Sequence, residues 1–363
     1  MILIFFAAAA LLLYILQAAY KRSWSKELSA ELSFDGGYIY EDDESAMYEV
    51  IENRKRLPVF LLEVGFKIGR GISFIDTENT NVSDYVYKRD IYALGGYERI
   101  TRTIRLVGKG RGYFPVSDVS LSAFSLFHTK RYLCQAGQTA AIYVYAKRTP
   151  LGRIVPALDS ILGEEESRRK FLEDPFAFSS IRDYTISDPM KNINWKASAR
   201  SGELMVNTYA STMTARLMVL LDVEDSGIWK RQELVEDSIR VAATLLQRYL
   251  AAGREAGLAV NAKDSEVIMP GKGGALRHRA ERLLTADFEK ERPFPLQDLF
   301  RHVPEDVIPV IISKNADREL VSGIIAAFGS DRRILLVVPH GKDERPELQR
   351  SGGIETVYRE VLS

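Results

Sequence analysis

Twenty consecutive residues at the start of the chain, MILIFFAAAALLLYILQAAY, carry no charge, and such a run leaves few structural options. As a helix rising about 1.5 Å per residue it reaches about 30 Å, the thickness of a bilayer's hydrocarbon core. All of its faces are apolar, whereas a helix at the edge of a soluble core keeps one face polar. The run therefore predicts a transmembrane helix over residues 1–20. A cleaved secretory signal is the alternative, with Ala18-Ala19 offering small residues, but no positive charge precedes the apolar stretch. Lys21, Arg22 and Lys26 come directly after it. Positive charge on that side predicts a single pass through the plasma membrane with the rest of the chain in the cytoplasm.

Beyond the helix the chain is long enough for more than one domain, since 363 residues exceed one ordinary core. Lys and Arg total 49, Asp and Glu total 49, so no global basic excess announces nucleic acid. Cys134 is the only cysteine and cannot form an internal disulfide, and four scattered histidines give no zinc-ligand cluster. The single thiol fits a reducing compartment.

Residues 21–45 read as a linker. Over 46–149 the pattern turns to short runs rich in Val, Ile, Phe, Tyr and Thr, broken by Gly, Pro and Asn. LPVFLLEVGFKI at 57–68 reads as a strand. RITRTIRL at 99–106 alternates apolar Ile100, Ile104 and Leu106 with polar residues, as a sheet with one wet face requires. Glycines 108, 110 and 112 precede no helix, so they read as turn chemistry and not as a phosphate cradle. An antiparallel β-sandwich of roughly 100 residues is expected. Residues 150–210 read as a connection, in which Glu164-Glu165-Glu166 and Arg168-Arg169-Lys170 have the look of a solvated face.

The connection ends in the densest motif of the chain, FAFSSIRDYTISDPMKNINWKASARSGELMV at 176–206. Asp188-Pro189, an uninterrupted run to Ser201 and then Gly202 have the form of one short helix, with Asp188 as its cap, Pro189 in its first turn and Gly202 at its left-handed exit. On that helix Asn192, Lys196 and Arg200 share a face, while Trp195 lies on another, placed to anchor against 203–206 or a neighbouring domain. Two readings of the cations stand. Arg182, Lys196 and Arg200 form a site for a partner's carboxylate or phosphate, or Arg182 and Arg200 pair with Asp183 and Asp188 as an internal clamp.

From 211 to 363 strands and helices alternate. Leu217–Asp222, Leu258–Val260, Val307–Ile312 and Ile334–Val338 are continuous apolar runs, and 232–250 and 317–328 are helical. Continuous hydrophobicity points to a mainly parallel sheet with helices on both faces. Ligands of such sheets sit at the carboxyl ends of the strands, which is where Asp222 falls.

Phe178, Ile181-Arg182-Asp183-Tyr184, Asp188 and the run Ile193-Asn194-Trp195-Lys196-Ala197-Ser198-Ala199-Arg200-x-Gly202-x-Leu204-Met205-Val206 resemble the signature of the bacterial domain-of-unknown-function (DUF) family 58. The resemblance extends to Arg111-Gly112-Tyr113 upstream and Leu217–Asp222 downstream. It implies membrane helices, a β-sandwich and a C-terminal α/β domain like the von Willebrand factor A fold. It also implies a partner, a MoxR-type AAA+ ATPase, with which members act in assembling or activating other proteins. Arg182, Asp183, Tyr184, Asp188, Asn194, Trp195, Lys196, Arg200 and Gly202 are the signature residues carried over. Many members have two membrane helices where this chain offers one. The metal-ion-dependent adhesion site of von Willebrand A folds, Asp-x-Ser-x-Ser, corresponds here to Asp222, Glu224 and Ser226, with a glutamate replacing the first serine. Mg²⁺ is the cofactor such a site implies, and Ser313 and Asp317 are placed to complete it.

Catalytic motifs are missing from the sequence: it has no Gly-x-Ser-x-Gly, no His-Glu-x-x-His and no Walker A lysine. Gly271-Lys272-Gly273-Gly274, with Arg277, His278 and Arg279 just beyond, reads as a flexible basic connection. The expected function is a non-enzymatic, membrane-anchored adaptor. A metal-dependent hydrolase built on Asp222 and an envelope scaffold are the alternatives.

Overall fold

In the computed structural model the N-terminal run forms helix α1 (Ile2–Ser23). It is exposed along most of its length and is long and apolar enough to cross a membrane. The structure describes all residues except 1, 126–129, 137–139, 171–177, 187, 210–214, 226–229, 264, 289–292, 343, 345, 347, 349–351 and 362–363. The chain divides into two compact units, one of Met1–Lys147 with Leu284–Asp287 and one of Arg148–Leu283 with Phe288–Ser363.

The first unit is all β after α1. Its strands are β1 (Leu28–Phe34), β2 (Tyr38–Tyr40), β3 (Glu44–Asn53), β4 (Val59–Gly69), β5 (Ile72–Phe74), β6 (Thr80–Val82), β7 (Tyr85–Leu94), β8 (Arg99–Gly108), β9 (Gly112–Pro115), β10 (Ser117–Phe124), β11 (Arg131–Gln135) and β12 (Ala141–Tyr145). One antiparallel sheet runs β1-β3-β8-β5 and another runs β11-β10-β4-β7-β6. Side chains from both meet in shared apolar clusters, Met47, Ile104 and Leu106 facing Phe66, Ile68 and Val86, so the two sheets form the expected sandwich. The linker expected at 21–45 is not one. β1 pairs with β3 along its whole length, Leu28 opposite Asn53 through Phe34 opposite Met47, and β2 joins β12 in parallel. The helix is equally tied to the sandwich. Tyr20 and Trp24, both buried, enter one cluster with Ile51, Val59, Leu62 and Leu94, and Trp24 stacks on Tyr132.

A charged layer crosses the middle of this sandwich. The inward alternation of β7 runs Val86, Lys88, Asp90, Tyr92, Leu94, and that of β3 runs Met47, Glu49, Ile51. Arg102 occupies the same inward register of β8 as Ile100 and Ile104. Asp90 accepts from Arg102 Nη1 at 2.8 Å and from Asn79 Nδ2 at 3.3 Å, and Lys88 Nζ donates to the Glu78 carbonyl at 2.9 Å. Tyr92 donates its hydroxyl to Glu49 Oε2.

The second unit begins with α2 (Ile154–Lys170), then β13 (Phe178–Asp183), a 3₁₀ turn at Met190–Asn192, α3 (Trp195–Ser201) and β14 (Met205–Tyr209). Next come β15 (Arg216–Leu221), α4 (Gln232–Ala251), β16 (Ala256–Val260), β17 (Ile268–Gly271), α5 (Gly274–Leu283) and a 3₁₀ helix at Leu296–His302. β18 (Val307–Ile312), α6 (Arg318–Phe328), β19 (Ile334–His340) and β20 (Ile354–Glu360) complete it. The main sheet has the order β17-β16-β15-β18-β19-β20. It is mixed: β16, β15, β18, β19 and β20 are parallel, and β17 runs antiparallel at one edge. Met218 and Leu220 face Leu320 and Ile324 of α6, while α2 and α4 pack on the sheet without entering that cluster. Helices on opposite faces arise from right-handed crossovers that leave β15 in one direction and β18 in the other.

The reading of 150–210 as a connection needs correction as well. Ile154, Leu158, Ile161 and Leu162 of α2 are buried at helical spacing, and Tyr249 of α4 donates to Asp159 at 2.7 Å. The acids of its charge run are held too, Glu166 by Arg254 at 2.6 Å and Glu164 by Arg333 at 2.6 Å. Likewise Gly271 ends a strand, and Arg277, His278 and Arg279 ride on α5, not on a flexible connection.

Candidate functional site

Two regions of the second unit hold the residues singled out by the sequence. The first is the signature motif. β13 and β14 pair antiparallel, Arg182 opposite Val206 and Asp183 opposite Met205. The helix expected from Pro189 to Ser201 is broken in two. Ile193 is extended and bridges Val206, which interrupts the helical run and hands the cap of α3 to Asn194. Asn194 Oδ1 accepts from Ala197 N at 3.0 Å, and its amide donates to Asn207 Oδ1 at 2.7 Å. Ser198 Oγ donates to the Asn194 carbonyl and accepts from Met205 N, both at 2.8 Å. Gly202 closes the helix at φ 81°, in the left-handed region where only glycine is unstrained.

Asp188, freed from capping, closes an internal clamp. Arg182 grips it through both terminal nitrogens at 2.8 and 2.6 Å, and Thr185 donates its amide at 2.8 Å and its hydroxyl at 2.7 Å. The Arg182 guanidinium, with the Thr185 donors, holds the Asp188 carboxyl well below the usual carboxylate range. Replacing Arg182 by alanine is expected to bring that carboxyl back toward its ordinary value, read by carbon-13 titration; an unmoved Asp188 would mean that Thr185 alone suffices.

Of the four residues expected in such a clamp, Arg182 and Asp188 are the pair that meets through side chains. Asp183 contributes its backbone carbonyl to Arg182 at 3.0 Å, and Tyr184 is tied through its amide to the Leu204 carbonyl at 2.8 Å. Asn192 is buried in the 3₁₀ turn and does not share a face with Lys196 and Arg200. Trp195 is not buried as an anchor: it is 66 % exposed, and Met190 and Ile186 of the same motif are exposed too. Lys196 and Arg200 are exposed as well.

The second region lies where the connections from β15 and β18 leave in opposite directions, the switch point at which open α/β sheets hold ligands. Asp222 comes just after β15 and is buried. Its Oδ1 accepts from Asn261 Nδ2 at 2.7 Å and Glu224 N at 3.0 Å. Its Oδ2 accepts from Ser313 Oγ at 2.6 Å and Asn315 Nδ2 at 3.1 Å. Asn315 also reaches the Glu224 carbonyl at 2.8 Å. Beside them Lys314 Nζ donates to Asp225 Oδ1 at 2.8 Å, with both side chains largely buried.

The groups around Asp222 among the described residues do not fit Mg²⁺. A hard cation needs carboxylate and hydroxyl oxygens with free lone pairs, and here N–H and O–H donors take both oxygens of Asp222 while the ammonium of Lys314 supplies the local positive charge. Glu224 meets this cluster through its backbone amide and carbonyl, and Ser226 lies outside the described residues. Of the two residues placed to complete the site, Ser313 does meet Asp222. Asp317 instead caps α6, accepting from Leu320 N at 2.7 Å. Asn261, Lys314 and Asn315 are not legible in the sequence as members of this cluster; their only signal is position, just past the ends of β16 and β18.

Among solved structures, the chain is similar over 33 % of its length to the CARDB domain of the PF1109 protein from Pyrococcus furiosus, covering 94 % of that domain at 13 % identity and a TM-score of 0.23. A cohesin–dockerin complex from Clostridium thermocellum matches 32 % of this chain and 99 % of its own at 10 % identity and a TM-score of 0.24. Likenesses at that level carry no argument. An uncharacterized protein, YeaD of Bacillus subtilis (strain 168), is 25 % identical over 146 residues, 40 % of this chain. The match spans about a third of that protein's length, 34 %. Residues 180–327, from β13 through most of α6, match the family described as Protein of unknown function DUF58.

Proposed function

We propose that this chain is a membrane-anchored interaction protein without chemistry of its own, and that the exposed face of the signature motif docks a partner protein. The observation that carries the reading is the division of labour within the motif. Arg182, Asp188, Asn194, Ser198 and Gly202 spend their polar groups on the motif's own framework, while Trp195, Met190, Ile186, Lys196 and Arg200 of the same motif are left exposed. An exposed tryptophan on a hydrogen-bonded framework, with an arginine on the same short helix, has the residue types of an interface hot spot. The partner implied by the family resemblance is a MoxR-type AAA+ ATPase, acting with this chain in assembly or activation of other proteins.

The sheet order, with β17 reversed at its edge, supports a Rossmann-like domain of the von Willebrand factor A kind. The saturated Asp222 favours a partner-binding role for that domain over metal-dependent hydrolysis. Lys21, Arg22 and Lys26 favour placing both units in the cytoplasm, at the plasma membrane.

The test is recovery of the ATPase with the full chain, solubilised in detergent in the presence of ATP. Recovery from wild type, and its loss in Trp195→Ala and Arg200→Ala, is the expected result. Both residues are exposed, so these changes leave the fold intact, whereas Asp222→Ala would confound binding with folding. No ATPase recovered with nucleotide present would overturn the partnership, and equal recovery by both variants would move the contact elsewhere.

A further inference from the structure

The end of the sandwich nearest α1 carries side chains that a cytosolic surface has no use for. The turn between β3 and β4 (residues 54–58) and the loop between β7 and β8 (residues 95–98) are locked to each other there. Asn53 Nδ2 donates to the carbonyls of Leu57 at 2.9 Å and Gly95 at 2.7 Å. Tyr97 N donates to the Lys55 carbonyl at 3.0 Å, and a Cβ on Gly96 would collide with the Arg56 backbone. On this stiff double loop Tyr97 is held at φ 56°, an uncommon conformation for a bulky residue, with its ring 73 % exposed. Phe60, at the irregular start of β4, is 67 % exposed, and Leu57 is exposed beside it.

The helix fixes where this end must sit. Tyr20 and Trp24 are packed into the sandwich, and the Arg54 amide bonds the Glu27 carbonyl at 2.8 Å, so no flexible spacer separates helix from sandwich. The part of α1 before Tyr20 spans about 27 Å, close to the ~30 Å of a hydrocarbon core. If α1 spans the bilayer, Tyr20 lies at headgroup depth, and the double loop lies there with it. The charge is complementary: residues 21–27 and 54–58 carry six bases and one acid.

Resting on the anchored reading above, we infer that this end of the sandwich is a second membrane contact, in which Tyr97, Phe60 and Leu57 enter the interface of an anionic bilayer and Lys21, Lys26 and Arg56 meet lipid phosphates. Aromatic rings are favoured at that depth, and bases near an anionic surface are drawn to it. The contact fixes the sandwich against the bilayer in one orientation.

The test uses the full chain with Cys134→Ser, reconstituted into phosphatidylglycerol vesicles containing headgroup-nitroxide lipids. A dye is placed at Leu57→Cys or, as control, at Asp84→Cys in the turn before β7, about 30 Å away along that strand. Severalfold stronger quenching at 57 than at 84, weakening when phosphatidylcholine replaces phosphatidylglycerol, is expected. Equal quenching at both sites in chains that resist alkaline extraction would overturn this contact alone and leave the face to a protein partner. Release of the chain by alkaline extraction would overturn the anchor, and the contact with it.

Discussion

Asp222→Ala is expected to destabilise the α/β unit by about 3 kcal/mol or more, because each buried donor left without its acceptor costs about 1–3 kcal/mol. Asn261 Nδ2, Ser313 Oγ, Asn315 Nδ2 and Glu224 N all lose their acceptor at once. Asn261 and Asn315 keep second partners in the Phe294 and Glu224 carbonyls, which keeps the total below a sum of four full penalties. Asp222→Asn retains one oxygen, and its amide can donate to Ser313 Oγ, so its cost is smaller, about 1 kcal/mol. Denaturant unfolding of the full chain in detergent measures both. The same experiment tests the metal. A ligand that binds only the folded state raises stability by RT ln(1 + [L]/Kd), so a working Mg²⁺ site would show a midpoint that climbs with Mg²⁺. Wild type is expected to be indifferent to it. A Mg²⁺-dependent rise that vanishes in Asp222→Ala would reinstate the ligand role of Asp222 and sink the framework role given to it here.

Much of the architecture is readable from periodicity, and the failures have a common cause. Leu217–Asp222, Arg99–Leu106 and residues 232–250 fall almost on β15, β8 and α4, because local apolar spacing is what packing demands there. β1 escapes the pattern although Ala30 and Leu32 alternate correctly, since seven residues need the register of β3 to become a strand. α2 is hidden by its charge run, although Ile154, Leu158, Ile161 and Leu162 have helical spacing. In the motif the local signals are sound but outweighed: Pro189 favours a helix start, yet the bridge from Ile193 to Val206 breaks the run. Asp222 is locatable from the end of its strand. What it does there depends on Asn261, Ser313 and Asn315, which are 39, 91 and 93 residues away in the chain, and no local pattern encodes that.

The charged layer inside the sandwich is equally hard to read, because Arg102 shares the apolar parity of Ile100, Ile104 and Leu106 on β8 and no local pattern shows that Asp90 of β7 pairs with it. Its expected consequence is a stability that falls as pH rises. Burial pushes the Glu49 carboxyl up to about 7 from its ordinary 4.5, with the Tyr92 hydrogen bond opposing and the Asp90 charge adding to the rise. Between those values the folded chain keeps a proton on Glu49 that the unfolded chain has released. Raising the pH through that window therefore favours unfolding, and below it both states are protonated and the penalty vanishes. The shift corresponds to about 3 kcal/mol lost between pH 4.5 and 7. Other carboxylates contribute their own pH dependence, so the clean measurement is the difference between wild type and Glu49→Gln. Glutamine stays neutral throughout and its carbonyl can still accept from Tyr92. The variant is expected to match wild type near pH 4.5 and to exceed it progressively up to pH 7, by about 3 kcal/mol at most, in urea unfolding of the full chain followed by circular dichroism. Parallel profiles for the two proteins would show that Glu49 is ionised in the folded sandwich, with Arg102 and Lys88 compensating its charge across the layer.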